Sequence, residues 1–161
     1  MLGVGSELRG DDAAGMLISG RLREHFRERL NPSVFRVFAG ETAPENFTGE
    51  LKKFRPSHLL ICDCADFGRA PGETVLASPD EISGISFSTH RLPLFVFLDY
   101  LAQEFPCNVR ILGIQPGSLK LFQPVTKPVQ EAVESATGLL SDAISRALFR
   151  SAPIPPENQS R

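Results

Sequence analysis

The sequence predicts a three-layer α/β/α sandwich built on a mainly parallel, twisted sheet. Short β-type apolar runs alternate with helical patterns along the chain, which is the order of a parallel layered fold. A length of 161 residues, 42% hydrophobic and 22% charged, suits one ordinary domain with a real core. No internal repeat or low-complexity block breaks the alternation.

The first strand is Met1 to Gly5, about 17 Å at the usual rise per residue. A glycine-containing turn leads to a helix with Met16, Leu17, Ile18, Leu22, Phe26 and Leu30 on or near one face, and Arg21, Arg23, Glu24, His25, Arg27 and Glu28 largely on the wet side. Val34 to Phe38 reads as a second strand, followed by the polar segment Gly40 to Asn46 and a short helix ending near Phe54, before Arg55 and Pro56. His58 to Cys64 is a third strand. Gly68 to Gly72 is a turn, Thr74 to Ala77 a short strand near an edge, and Ser78 to Arg91 a loop. Leu92 to Phe105 is almost wholly apolar and predicts a helix buried on most sides, with Pro93 accommodated in its first turn. Asn108 to Ile114 is the next strand. The last helix, Thr126 to Phe149, carries Val129, Val133, Ala136, Leu140, Ile144 and Ala147 on one stripe. Residues 1–150 thus form a single domain, and the proline-containing tail 151–161 is expected to be mobile.

Seventeen Lys and Arg against 19 Asp and Glu give a net charge of −2, which provides no general attraction for nucleic acid or an anionic membrane. No apolar run approaches the roughly 20 residues of a membrane span, and the N-terminus has no signal-peptide pattern. A cytoplasmic protein without membrane insertion is expected. Cys62, Cys64 and Cys107 match no zinc ribbon or disulfide framework, so reduced thiols are expected, with Cys62 and Cys64 as buried small hydrophobes.

Open α/β sheets place ligands at the carboxyl ends of their strands. That rule selects Asp11 and Asp12 after the first strand, Asp63 near the end of the third, and His90 in the long loop. Asp11 and Asp12 also suit helix capping and the helix dipole, for which one of them suffices. Asp63 interrupts Leu59, Leu60, Ile61 and Cys62 where a buried strand leaves the core; it is either a structural carboxylate bonded to loop amides or a functional one. His90 taken alone suits a packing or capping role as well as a ligand role. Together, two carboxylates and an imidazole suit a borderline divalent cation, zinc or nickel better than calcium, with positions left open. A serine hydrolase using Ser6, Ser86 or Ser88 has no Gly-x-Ser-x-Gly elbow to support it. Gly3, Gly5 and Gly10 fail the dinucleotide pattern, because Leu8 stands at its third glycine and Phe38 and Ala39 replace a ribose-binding acid.

The segment from Leu2 to Gly15, with Gly10-Asp11-Asp12 before a helix, resembles the opening signature of the nickel-iron hydrogenase maturation proteases. Ala43-Pro44-Glu45-Asn46, Leu60 to Asp66, Thr89-His90-Arg91-Leu92-Pro93-Leu94 and Leu112-Gly113-Ile114-Gln115-Pro116 agree with it, and the similarity extends to about residue 148. It is closest to the branch that processes the large subunit of the formate hydrogenlyase hydrogenase, hydrogenase 3. The resemblance implies a phosphorylase/hydrolase-like version of the sandwich and a single peptidase domain. It implies an endopeptidase that removes a short C-terminal extension from the large-subunit precursor after nickel insertion. It carries the family's metal-binding and catalytic positions onto Asp12, Asp63 and His90; Asp11 and Asp66, beside them in sequence, are supporting candidates that equally suit helix capping or a turn bond. The nickel is then supplied by the precursor, with no permanent cofactor, and the precursor is the partner of a monomeric enzyme. Two departures stand out: Ser6 where the family usually has Asn, still able to hydrogen-bond the turn, and Glu41 where it has glycine. The alternatives are a nucleoside phosphorylase-like or nucleotide-binding enzyme on the same scaffold, and a non-catalytic nickel-dependent chaperone.

Overall fold

A computed structural model describes residues 1–82, 86–87 and 94–149. The elements are β1 (Leu2–Val4), α1 (Ala14–Phe26), β2 (Phe38–Glu41), α2 (Thr48–Phe54), β3 (His58–Asp66), β4 (Thr74–Ala77), β5 (Ser86–Phe87), α3 (Leu94–Glu104), β6 (Asn108–Ile114) and α4 (Lys127–Phe149). Short 3-10 turns, Gly10–Ala13 and Pro44–Phe47, lead into α1 and α2. The main sheet runs β2-β1-β3-β6-β4. Its first four strands are parallel, β4 is antiparallel to β6, and β5 pairs antiparallel with the end of β3. The expected edge strand Thr74–Ala77 lies where the sequence puts it.

The strand period of two sorts the core into two halves. Cys62, Leu112 and Ile114 pack against Ala14, Ile18, Leu22 and Phe26 of α1 and Val129, Val133 and Ala136 of α4. Leu2, Val4, Leu59, Ile61 and Ile111 pack against Leu51 of α2 and Phe97, Leu98 and Leu101 of α3. These two layers of helices flanking the sheet confirm the sandwich. The largest buried side chains each contribute about 1.5–3 kcal/mol.

Helix α1 approaches the sheet unusually closely because its inner face is Ala14, Gly15 and Ser19, all buried. A Cβ on Gly15 would sit 2.1 Å from the Cys62 carbonyl oxygen and 2.3 Å from that of Val4. Helix α2 stops where Arg55 turns left-handed (φ 46°) ahead of Pro56, with the Arg55 amide bonding the Leu51 carbonyl at 2.7 Å.

Three local expectations need correction. The second strand is Phe38–Glu41, not Val34 to Phe38. Asn31 turns the chain first: its side chain accepts from the Ser33 amide at 2.8 Å, and its carbonyl accepts from Val34 and Phe35 at 2.8 and 3.1 Å. Pairing with β1 therefore begins only at Phe38, opposite Leu2. The stretch read as loop, Ser78 to Arg91, contains β5 and the 3-10 turn Pro79–Glu81, which is closed by a Ser78–Glu81 capping box. Finally, α3 is buried on one face, through Leu94, Phe97, Leu98 and Leu101, and exposes Val96 and Tyr100, because an outer layer covers the sheet on one side only. The beginning predicted for this helix, Leu92 and Pro93, lies outside the described residues, as does the tail 151–161. Among the described residues no helix is long and apolar enough to cross a membrane.

Candidate functional site

The carboxyl ends of β1 and β3 lie side by side, since Gly3 pairs with Cys62. After β1, Gly5 takes φ 125° and the chain folds back so closely that a Cβ there would meet the Asp12 carbonyl oxygen at 1.9 Å. That reversal delivers the turn Gly10–Ala13, which packs against β3.

Asp12 and Asp63 are both fully buried at this edge. The Ser6 amide donates to Asp12 Oδ2 at 3.2 Å, and the Arg9 guanidinium stands 3.8 Å from the same oxygen. Asp12 Oδ1 is buried with no hydrogen-bond partner among the described residues, a costly state for a carboxylate oxygen. Asp63 Oδ1 accepts from the Cys64 amide at 2.7 Å. Cys64 reports on both carboxylates: burial pushes its thiol upward first, and the negative charges of Asp63, Asp12 and Asp11 push it further. Asp12 and Asp63 thus lie on adjoining segments, the turn Gly10–Ala13 and the strand β3 it packs against. His90, the third predicted member, lies outside the described residues. Among the described residues no three His, Cys, Asp or Glu side chains gather closely enough to hold a metal ion.

Asp11 does something the sequence did not disclose. Its Oδ2 accepts from the amides of Gly117 and Ser118 at 2.7 and 2.8 Å and from the Thr126 hydroxyl at 2.9 Å. Its Oδ1 accepts from the Thr126 amide at 2.6 Å. Neither Asp11 nor Asp12 caps a helix, because neither the 3-10 turn nor α1 has a side-chain cap bond at its start. Asp11 instead ties the loop between β6 and α4 to the turn that carries Asp12. Replacing Asp11 by Ala strands three amides and a hydroxyl, and should cost about 3 kcal/mol in a denaturant titration.

Asp66 likewise has a turn role. Its Oδ1 accepts from Gly68 N and from Gln115 Nε2 at 3.1 and 3.0 Å, and these bonds, Gln115 first, hold its carboxyl below the usual range. Gln115, given no role from sequence, accepts from the Phe67 and Arg69 amides at 2.9 and 3.2 Å and so fixes the turn after β3. Glu45 has no individual role from the sequence, yet its Oε2 is buried without a hydrogen-bond partner among the described residues. The sequence signal was present in the Pro44-Glu45-Asn46 stretch, but an acid in a polar segment has no burial signature. Ser6 does bond the turn, its hydroxyl accepting from Leu8 N at 3.4 Å. Glu41 adopts φ 48° while its carbonyl accepts from the Gly5 amide at 2.8 Å, which explains why a glycine suits that position.

The early glycines are consumed by packing. A Cβ on Gly3 would strike Ser19 Oγ at 2.2 Å, and one on Gly10 the Ser118 carbonyl at 2.7 Å. A cavity of about 540 Å³ lined by Phe35, Arg36, Phe54, His58 and Ile144 lies beside the start of β3, at the opposite edge from the aspartates. The strand-end rule points to the aspartate edge as the reactive one.

Cys62 belongs to the core half packed on α1 and α4, and Cys64 is buried two residues further along β3. Burial pushes the Cys62 thiol up to about 12 and Cys64 higher still. Both should resist a thiol reagent at pH 8 until the protein unfolds. An unfolded thiol titrates near 8.5, so above about pH 9 the unfolded chain loses protons that the folded chain keeps, and stability should fall as pH rises. Rapid native-state labelling of either cysteine would contradict this.

A model of the hydrogenase maturation protease family matches residues 20–143 of the chain. The hydrogenase 3 maturation protease of Escherichia coli K12 is 35% identical over 136 residues, covering 84% of this chain and 83% of its own. The [NiFe] hydrogenase maturation protease HycI of Thermococcus kodakarensis superposes with a TM-score of 0.75 at 29% identity, over 89% of this chain and 90% of its own. The solution structure of the endopeptidase HycI from Escherichia coli gives 0.74 at 33% identity, over 88% and 87%. With matches of this extent on a shared sandwich, the chain belongs to the hydrogenase maturation proteases and is an endopeptidase, a hydrolase acting on peptide bonds.

Proposed function

We propose that the protein removes the C-terminal extension of a nickel-iron hydrogenase large-subunit precursor after nickel insertion, recognising the nickel that the precursor brings. The observation that carries this reading is the buried pair Asp12 and Asp63 at the carboxyl edge, with Asp12 Oδ1 lacking a hydrogen-bond partner among the described residues. Keeping such an oxygen out of water is disfavoured unless an incoming group engages it. A cation carried by the substrate is such a group, and oxygen ligands with the imidazole of His90 suit nickel. In this reading Asp12, Asp63 and His90 engage the precursor's nickel and hold the scissile bond in place. Fixing that geometry removes much of the entropic part of the barrier. A carboxylate oxygen of the pair that does not bond the cation can take the proton of the attacking water. Asp11 and the Ser6 amide keep the turn rigid so that Asp12 does not have to be ordered during the reaction.

In the same reading the protein needs no resident cofactor, works as a monomer and acts in the cytoplasm. Incubation with nickel-loaded and nickel-free precursor tests the reading by mass spectrometry. Loss of the extension from the nickel-loaded form alone is expected. Equal cleavage of both forms would remove nickel recognition, and binding without any mass loss would leave a nickel-dependent chaperone.

A further inference from the structure

The turn that carries Asp12 also presents an apolar surface that the fold does not use. Leu8 is 60% exposed, Leu121 59% and Phe122 79%. They are brought together by the backbone: the Phe122 amide donates to the Leu8 carbonyl at 2.8 Å, and the Asp11 amide to the Ser118 carbonyl at 3.0 Å. Residues 8–11 and 118–122 thus run side by side, and the same turn places the Ser6 amide on Asp12. The patch and the candidate site share one rigid segment.

Two features separate this patch from scattered surface hydrophobes. Phe122 is held at φ 58°, a conformation that a bulky residue adopts only when its surroundings impose it. And the loop is tightly tied, since Asp11 takes three amides and a hydroxyl from Gly117, Ser118 and Thr126. Strain and buried charge are thus spent on fixing the backbone that presents an exposed phenyl ring. A backbone fixed in advance loses little freedom on binding, which suits the apolar side chains it presents to docking. An endopeptidase acts on a polypeptide, and that polypeptide must lie across the edge where Asp12 stands.

We propose that Leu8, Leu121 and Phe122 form an apolar platform that docks an apolar segment of the protein substrate beside the scissile bond. The proposal rests on the reading of the aspartate edge as the cleavage site. The test compares the wild type with Leu121→Ser/Phe122→Gly, in which glycine takes the left-handed backbone without strain, and with Leu8→Ser. Melting temperature should be unchanged or raised. With a nickel-loaded hydrogenase large-subunit precursor as substrate, KM should rise tenfold or more while kcat stays within twofold. The same precursor should bind at least tenfold more weakly when the double change is placed on the Asp63→Asn background. Unchanged KM and unchanged binding would overturn the platform. So would a wild-type dimer in sedimentation that the variant dissociates, because the patch would then face a second copy. Precursor that binds through the patch but is never cleaved would leave the platform standing and overturn the catalytic reading.

Discussion

Asp63→Asn and Asp12→Asn are each expected to lower cleavage of a nickel-loaded precursor by about 10²–10⁴-fold, the range lost when a proton-moving group or an electrostatic contact at the reacting bond is removed. The fold should survive. Asparagine is nearly the same size, and at position 63 its amide oxygen can still accept from the Cys64 amide, as Asp63 Oδ1 does at 2.7 Å. At position 12 the oxygen facing the Ser6 amide is likewise replaceable. What each change removes is negative charge in a buried edge, where a cation would gain most from it. Melting temperatures within a few degrees of the wild type, with activity reduced by the stated factor, would place both side chains in the reaction. Wild-type turnover in either variant would return that carboxylate to a structural role.

Gly15→Ala should be strongly destabilising, by about 4 kcal/mol or more, because the added methyl meets main-chain atoms that cannot rotate away. The Cβ would lie 2.1 Å from the Cys62 carbonyl and 2.3 Å from the Val4 carbonyl, so α1 would have to lift off both strands. Such a loss approaches the whole stability of a typical domain, about 5–15 kcal/mol. Gly20, in the same helix, is the control. Nothing lies within 4 Å of a Cβ there, so Gly20→Ala should stabilise by about 0.5–1 kcal/mol through helix propensity and a less flexible unfolded chain. Urea titrations of the two variants should move in opposite directions. A small loss for Gly15→Ala would mean that α1 does not rest on the strands as described.

The elements most legible in the sequence were those whose signal is burial over many residues. His58 to Cys64, Asn108 to Ile114 and the stripe of α4 lie where periodicity puts them, with the observed strand β3 running two residues further. Val34 to Phe38 misled because apolar content cannot reveal that Asn31 has already bent the chain. The helix α3 misled in another way: Val96 and Tyr100 are apolar or aromatic yet exposed, so composition overstated its burial.

At the candidate site, Asp63 was legible as a charge interrupting a buried strand, and Asp12 as an acid at a strand end. The division of labour between Asp11 and Asp12 was not. It depends on Gly117, Ser118 and Thr126, more than a hundred residues away, and no local pattern encodes that pairing. Gln115 escaped notice for the same reason, since its partners Asp66, Phe67 and Arg69 come from a different strand end.

The central claim is that Asp12, Asp63 and His90 address one cation. Crystals soaked in cadmium and measured at a wavelength where cadmium scatters anomalously test it most directly. A single strong peak within coordination distance of Asp12 Oδ1, the Asp63 carboxylate and the His90 imidazole is the predicted result. A peak elsewhere, or an imidazole facing away from the two aspartates, would contradict it.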